Sequence, residues 1–144
     1  REFWKAFARE AGVRLQWQEL VRLFREAGQA NPRMLALLRR LGRRYPLGLV
    51  SDNYKELADF LVQEYGLGQL FKALVFSNRV GVKKPARRIF FIAVRRMGLP
   101  PEGCLFIDDK PENVAAARKL GMQALLFTGE ARLKRDLSKK GVRG

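Results

Sequence analysis

The chain has 144 residues, of which 47% are hydrophobic, and its 29 basic and 14 acidic residues give a formal net charge of +15. This length and composition predict a globular protein with a substantial core. The sequence contains no histidine and a single cysteine, Cys104. An intramolecular disulfide, the common zinc sites and Ser/His or Cys/His nucleophile pairs are therefore excluded, and any catalysis has to use carboxylates, hydroxyls and lysines.

The first thirty residues are predicted to form two short helices of a small helical unit. Apolar residues recur at helical spacing over Phe3–Ala8 and over Leu20–Phe24, and a glycine follows each stretch. Asn31-Pro32 then interrupts the pattern, which predicts a domain boundary near residue 31. No apolar run approaches the roughly 20 residues of a membrane span, and the amino end lacks a signal-peptide pattern. We therefore expect a cytoplasmic protein without a membrane partner.

From residue 32 onward, helical and strand patterns alternate. Short apolar runs at residues 47–50, 73–76, 104–107 and 124–127 have the length and composition of buried parallel strands. Helical patterns cover residues 34–41, 55–65, 86–97 and 111–120, and a charged helix is predicted after Gly129. This order predicts a layered α/β fold with a parallel sheet.

Three polar clusters follow strands of this predicted sheet. Ser51-Asp52-Asn53 end the first strand, Lys83-Lys84-Pro85 follow the loop after the second, and Asp108-Asp109 end the third. Ligands of parallel α/β sheets bind at the carboxyl ends of the strands. A hydroxyl, a lysine and paired carboxylates at neighbouring strand ends would form a compact site for phosphate and Mg²⁺, because oxygens suit the metal and an ammonium suits the anion.

Each cluster taken alone also has a purely structural explanation. Ser51-Asp52-Asn53 and Asp108-Asp109 precede predicted helices, and these residue types are preferred at helix N-caps. Lys84-Pro85 fits a solvated lysine before a proline that begins a helix. Two adjacent carboxylates at a strand end are nonetheless costly without a cation. The occurrence of all three clusters in this order favours the binding site.

The net charge of +15 also raises the hypothesis of a nucleic-acid-binding protein. The basic residues are spread over nearly every predicted helix, and no strand interleaves them with aromatic residues that could stack on bases. Solvated helix faces explain the charge better, so nucleic acid is not expected as the partner.

Three segments resemble motifs of a known family. LGLVSDN, VGVKKP and CLFIDDKPENVAAARKLGM resemble motifs II, III and IV of the haloacid dehalogenase (HAD) superfamily, which consists mainly of Mg²⁺-dependent phosphatases and includes some dehalogenases. The chain is most similar to the branch with a small helical cap, which includes sugar-phosphate phosphatases and the phosphatase domain of soluble epoxide hydrolases. The resemblance implies a partial cap over residues 1–31 and a Rossmann-like core over residues 32–144, with helices on both faces of a parallel sheet.

The resemblance implies a phosphate site around the first two clusters. Ser51 would hydrogen-bond the transferring phosphoryl group, and Lys84 would neutralise this group and orient the nucleophile. Asp52 and Asn53 would line the same site. Two positions depart from the family pattern, because Asp52 stands where this branch often has asparagine and Ala86 stands where many members have aspartate.

The third cluster would be the metal site. The resemblance implies that Asp109 binds Mg²⁺, that Asp108 is a second acidic group beside it, and that Asn113 supports the same loop. The expected activity is hydrolysis of a small phosphorylated metabolite with Mg²⁺ as the cofactor.

The first motif of the family is absent from the sequence. This motif, Asp-x-Asp at the end of the first strand, supplies the aspartate nucleophile and the acid/base aspartate, and no such tripeptide occurs here. Two hypotheses follow: an N-terminally incomplete phosphatase that is inactive alone, or a non-catalytic HAD-like binding or interaction module. The presence of Ser51, Lys84 and Asp109 together favours the first. The central first strand of the family fold would then be missing, leaving strand edges through which the chain could self-associate.

Overall fold

The computed structural model describes residues 31–53 and 55–143, and from Arg33 onward these residues belong to one compact unit. The helical cap predicted over residues 1–31 lies, except for Asn31, outside the described residues. The cap and its boundary with the core therefore stay predictions. Among the described helices, none combines the length and the hydropathy of a membrane span.

Helices and strands alternate along the described chain. They are α1 (Pro32–Gly42), β1 (Gly48–Ser51), α2 (Lys55–Glu64), α3 (Leu67–Leu70), β2 (Ala73–Phe76), α4 (Ser77–Val80), α5 (Arg87–Met97), a 3₁₀ turn (Pro101–Gly103), β3 (Leu105–Asp108), α6 (Pro111–Lys119), β4 (Gln123–Leu126) and α7 (Glu130–Lys139). The predicted strands and longer helices are confirmed. The sequence pattern does not predict α3, α4 and the 3₁₀ turn, because such short segments contain no apolar repeat.

The strands form two parallel pairs within the described residues. β1 lies beside β2 with Ser51 opposite Phe76, and β3 lies beside β4 with Asp108 opposite Leu126. Parallel partners need a crossover connection. Here α2 and α3 connect β1 to β2, and α6 connects β3 to β4.

One hydrophobic cluster joins the two strand pairs to α5 and α6. It contains Val75 of β2, Phe106 of β3 and Ala124 of β4, together with Phe90 of α5 and Ala117 of α6. The rings of Phe90 and Phe106 meet edge to face with their centroids 5.1 Å apart, which is a favourable arrangement for aromatic pairs. α5 also packs against β1 and β2. This helix therefore holds both strand pairs in one core.

A second cluster packs on the other side of the strands. Its buried members come from α1 and α7, and they are Leu37, Leu41, Leu133 and Leu137. Leu105 and Ile107 pack against this cluster, whereas Phe106 between them belongs to the first. Successive side chains of a strand point to opposite faces. Helices thus cover both faces of the strands, as the sequence predicts.

β1 and β3 do not pair with each other. Within the described residues, each has a hydrogen-bonded strand on one side only. Their carboxyl ends are nevertheless bridged by Lys84, whose Nζ bonds to the backbone oxygen of Val50 at 3.2 Å and to Oδ2 of Asp108 at 2.7 Å. Among the described residues, no strand ladder therefore joins β1 to β3, in agreement with the predicted lack of the first strand of the family fold.

Candidate functional site

Lys84 lies between the ends of β1 and β3. Its ammonium group donates hydrogen bonds to Val50 and Asp108, the first a backbone carbonyl and the second a carboxylate. Only 12% of the Lys84 side chain and 6% of the Asp108 side chain are exposed. An ammonium group has three protons, and two are used in these bonds. Within the part of the chain that the structure describes, the third N–H of Lys84 has no acceptor, so it can donate to an anion at this edge of the sheet.

The Asp108 carboxylate is surrounded by donors. Oδ2 accepts from Lys84, and Oδ1 accepts from the Asn113 side chain at 3.0 Å and from the backbone N–H of Lys110 at 2.9 Å. Burial raises the pKa of Asp108, but the hydrogen bonds from Lys84, Asn113 and Lys110 and the charge of Lys84 outweigh it, so the pKa lies below its ordinary value. Asp108 is therefore ionised at neutral pH, and its charge is compensated within the protein.

The segment after β1 is fixed by hydrogen bonds on two sides. The side-chain amide of Asn53 donates to Ser51 Oγ at 2.7 Å, and the side-chain amide of Asn78 donates to the backbone oxygen of Asn53. Asp52 Oδ1 accepts the backbone N–H of Lys84 at 3.1 Å. The carboxylate of Asp52, which puts a negative charge beside the predicted phosphate site, thus accepts a hydrogen bond from a backbone N–H.

Asp109 offers the chemistry of a Mg²⁺ ligand. It is exposed, and within the described residues no hydrogen bond or ion pair engages its carboxylate. The described residues contain no group of three or more His, Cys, Asp or Glu that could hold a metal ion. Protein-bound Mg²⁺ usually keeps several waters and takes one or two carboxylates together with substrate phosphates. Asp109 fits as one such ligand, whereas Asp108 would have to share oxygens that already accept hydrogen bonds.

The structure brings most of the predicted site residues into two hydrogen-bonded groups at the ends of β1 and β3. Lys84 contacts Asp108 directly and Asp52 through its backbone, Asn113 contacts Asp108, and Asn53 contacts Ser51. Asp109 follows Asp108 in the chain but stays outside these bonds. The roles of these residues toward phosphate and metal stay predictions.

Two hydrogen-bond partners at the site are not predicted from the sequence. Asn78 follows β2 almost directly, and β2 ends level with β1 because Phe76 lies opposite Ser51. A polar residue just after a strand end was the available signal for Asn78. The backbone oxygen of Val50 carries no side-chain signal and could not be predicted.

The sequence profile of the haloacid dehalogenase-like hydrolase family matches residues 1–121. The chain belongs to this family, which confirms the resemblance seen in its motifs. The match includes both strand-end residues of the site, Ser51 and Asp108, as well as Lys84.

Similar curated proteins include two phosphatases. Over 84 residues the chain is 33% identical to fructose-1-phosphate phosphatase of Escherichia coli, a match that covers 58% of this chain and 44% of that protein. Over 87 residues it is 34% identical to glyceraldehyde 3-phosphate phosphatase of Methanothermobacter thermautotrophicus, covering 60% of this chain and 38% of that protein. These matches span less than half the length of either relative.

Similar solved structures have the same fold. A HAD-like family hydrolase from Porphyromonas gingivalis superposes with a TM-score of 0.74 at 26% identity, covering 92% of this chain and 70% of that chain. A HAD family enzyme from Bacteroides thetaiotaomicron, in complex with magnesium and inorganic phosphate, superposes with a TM-score of 0.73 at 20% identity, covering 90% of this chain and 69% of that chain.

Proposed function

We propose that the chain supplies the phosphate and Mg²⁺ sites of a phosphatase that acts on a small phosphorylated metabolite. The observation that carries the proposal is the junction of β1 and β3, where Lys84, with 12% of its side chain exposed, lies beside Ser51 and has one N–H without an acceptor among the described residues. Two relatives named as phosphatases of fructose-1-phosphate and glyceraldehyde 3-phosphate support this substrate class. A cytoplasmic location belongs to the same proposal.

Lys84 and Ser51 would bind the phosphoryl group together. The carbonyl of Val50 accepts a hydrogen bond from Lys84, and Ser51 is the next residue, so the ammonium and the hydroxyl lie at the same strand end. The ammonium would offset charge on the phosphoryl oxygens, and the hydroxyl would hydrogen-bond one of them. Positioning and charge stabilisation of this kind supply most of the catalysis in phosphoryl transfer.

Asp109 would hold Mg²⁺ at the neighbouring strand end. The metal, when bound, would neutralise charge on the phosphoryl group. Asp108 and Asn113 would fix the start of the loop from which Asp109 projects, because Asp108 accepts from Asn113 and from the backbone of Lys110. Asp109 itself is exposed, so its carboxylate is accessible to a metal ion.

We expect the chain alone to lack phosphatase activity. The sequence contains no Asp-x-Asp motif. Without the aspartate nucleophile of that motif, the lysine and the metal cannot form an aspartyl-phosphate intermediate. The chain with Mg²⁺ should therefore hydrolyse p-nitrophenyl phosphate no faster than buffer. Turnover that disappears in Ser51→Ala or Lys84→Ala would contradict this expectation.

A chain extended at its amino end by the first-motif strand of a family member tests the function itself. This extended chain should hydrolyse p-nitrophenyl phosphate in the presence of Mg²⁺. The same chain with Lys84→Met, or with the first aspartate of the added motif changed to asparagine, should not. An extended chain that folds and binds Mg²⁺ but stays inactive would overturn the proposal in favour of a non-catalytic module.

The metal site can be tested separately by titration calorimetry with Mg²⁺. Asp109→Asn should weaken binding at least about tenfold, because even residues behind the ligands of a metal site typically contribute that much. Glu112→Gln is the matched control, since Glu112 is an exposed acid three residues further along the chain. Equal affinity of the wild type and D109N for Mg²⁺ would show that Asp109 is not a ligand of the metal.

A further inference from the structure

We propose that Asn78 is a positioning residue that holds Asn53 so that the Ser51 hydroxyl directs its proton at a bound phosphoryl oxygen. The inference rests on the proposed function and adds a residue outside the motifs that carry the family resemblance. Asn78 belongs to α4, the short helix directly after β2. Among the described residues, its side chain is connected to the Ser51 hydroxyl by hydrogen bonds through Asn53.

Two consecutive hydrogen bonds connect these residues. Asn78 donates its side-chain amide to the backbone oxygen of Asn53, and Asn53 donates its own side-chain amide to Ser51 Oγ at 2.7 Å. The first bond spans 25 residues of sequence, so it ties the segment after β1 to the segment after β2. The carbonyl of Asn53 is an acceptor only, which fixes the Asn78 amide as the donor.

The direction of the second bond decides what Ser51 can do. A hydroxyl has one proton and two lone pairs. Since Ser51 Oγ accepts from Asn53, one lone pair is occupied and the proton is free to point elsewhere. A phosphoryl oxygen bound beside Lys84 would accept a hydrogen bond from this proton. By donating to the Ser51 oxygen, Asn53 leaves the hydroxyl proton to be donated to phosphate. Asn78 fixes the backbone of Asn53 and thereby the position of the Asn53 side chain.

The same segment is held from its other side by Asp52. Asp52 Oδ1 accepts the backbone N–H of Lys84 at 3.1 Å. Asp52 thus fixes the spacing between the Ser51 segment and the lysine, and Asn78 fixes the segment against α4. Two long-range side-chain hydrogen bonds among the described residues hold the segment of Ser51, Asp52 and Asn53. Without Asn78, the bond between Asp52 and the backbone of Lys84 would be the one that remains.

The test is the binding of inorganic phosphate to the chain at saturating Mg²⁺, measured by titration calorimetry. Asn78→Ala and the isosteric Asn78→Asp, which has no amide proton to donate, should each weaken phosphate binding about threefold to tenfold, as expected for loss of one hydrogen bond. Asn78→Gln keeps the donor and should recover part of the affinity. Gln69→Ala removes an exposed amide from α3 and should leave the affinity unchanged.

A spectroscopic signature separates positioning from general stabilisation. The side-chain amide resonance of Asn53, identified by its loss in Asn53→Ala, should shift in N78A and N78D and stay in place in Q69A. Phosphate binding as tight as that of the wild type in both N78A and N78D would overturn the inference while leaving the proposed function intact. A wild-type chain that binds no phosphate would overturn both.

Discussion

Asp108 and Lys84 form the most buried ion pair among the described residues, with side chains 6% and 12% exposed. Taking two charges out of water is costly, and the pair offsets this cost only because each partner also has other hydrogen bonds. Asp108 accepts from Asn113 and Lys110, and Lys84 donates to Val50. Removal of one partner would leave a buried charge without compensation.

Asp108→Asn should therefore lower the free energy of unfolding by about 3–5 kcal/mol, the usual cost of breaking a buried pair. Urea denaturation at neutral pH measures this change. Asp136→Asn is the matched control, because Asp136 pairs with Arg132 at 3.6 Å on the surface of α7, and surface pairs contribute about 0–1 kcal/mol. Equal losses in D108N and D136N would show that burial of the Lys84 pair contributes nothing.

The difference in stability between the wild type and D108N should depend on pH. The pKa of Asp108 is lower in the folded chain than its ordinary value, which is about 3.9 in an unfolded chain. The stabilisation is thus complete above the unfolded value and is lost as pH falls through the folded value. Urea denaturation should show a constant difference from about pH 7 to about pH 5 and a smaller one below about pH 4. A difference that grows on acidification would contradict this assignment.

α5 is the element that joins the two strand pairs, and adjacent phenylalanines on it allow a matched test. Phe90 is fully buried and meets Phe106 of β3, whereas Phe91 is 52% exposed. Phe90→Ala should lower the free energy of unfolding by about 3–5 kcal/mol, and Phe91→Ala by about 0.5 kcal/mol or less. Thermal and urea denaturation measure both. If F90A does not fold, Phe90→Leu should still show a loss larger than that of F91A.

Elements of ordinary length are predictable because their apolar residues repeat. α5 is predicted over residues 86–97 and occupies Arg87–Met97, and β2 lies at the predicted residues. α3 and α4 are not predicted, since four residues hold only one helical turn and show no repeat. Asn78 is not predicted for the same reason, because it lies on α4, in a segment without an apolar repeat.

The position of the candidate site follows from strand-end chemistry, but its internal bonding does not. Ser51, Lys84 and Asp108 are predicted at one edge because parallel strands end there together. Which of Asp108 and Asp109 turns toward Lys84 depends on how α6 begins after β3, where Asp108 bonds to the backbone of Lys110. Such a detail depends on tertiary contacts, and local sequence does not encode it.

At the scale of the whole molecule, the two strand pairs of the described chain pack in one core. Within the described residues, no backbone hydrogen bonds connect β1 to β3. Unpaired strand edges tend to associate with other strands. We therefore expect the chain to self-associate with increasing concentration in sedimentation velocity experiments. Association should strengthen with added salt, because screening weakens repulsion between chains of net charge +15.

Salt that weakens association would show that charge pairing, and not the strand edges, holds the chains together. A chain that stays monomeric and stable at all concentrations would contradict the expectation for the edges. Neither result tests anion binding at the ends of β1 and β3, because Lys84 bonds directly to both strand ends.

The affinity of inorganic phosphate for the chain and for Lys84→Met, each at saturating Mg²⁺, tests the proposed site most directly. Methionine replaces the apolar stem of lysine with a stem of similar length and ends before the ammonium, so it has no charge and no N–H donor. We expect the wild-type chain to bind phosphate more tightly with Mg²⁺ than without it, and K84M to lose this binding while it still folds. Phosphate binding by folded K84M that equals that of the wild type would contradict the site and, with it, the proposed function.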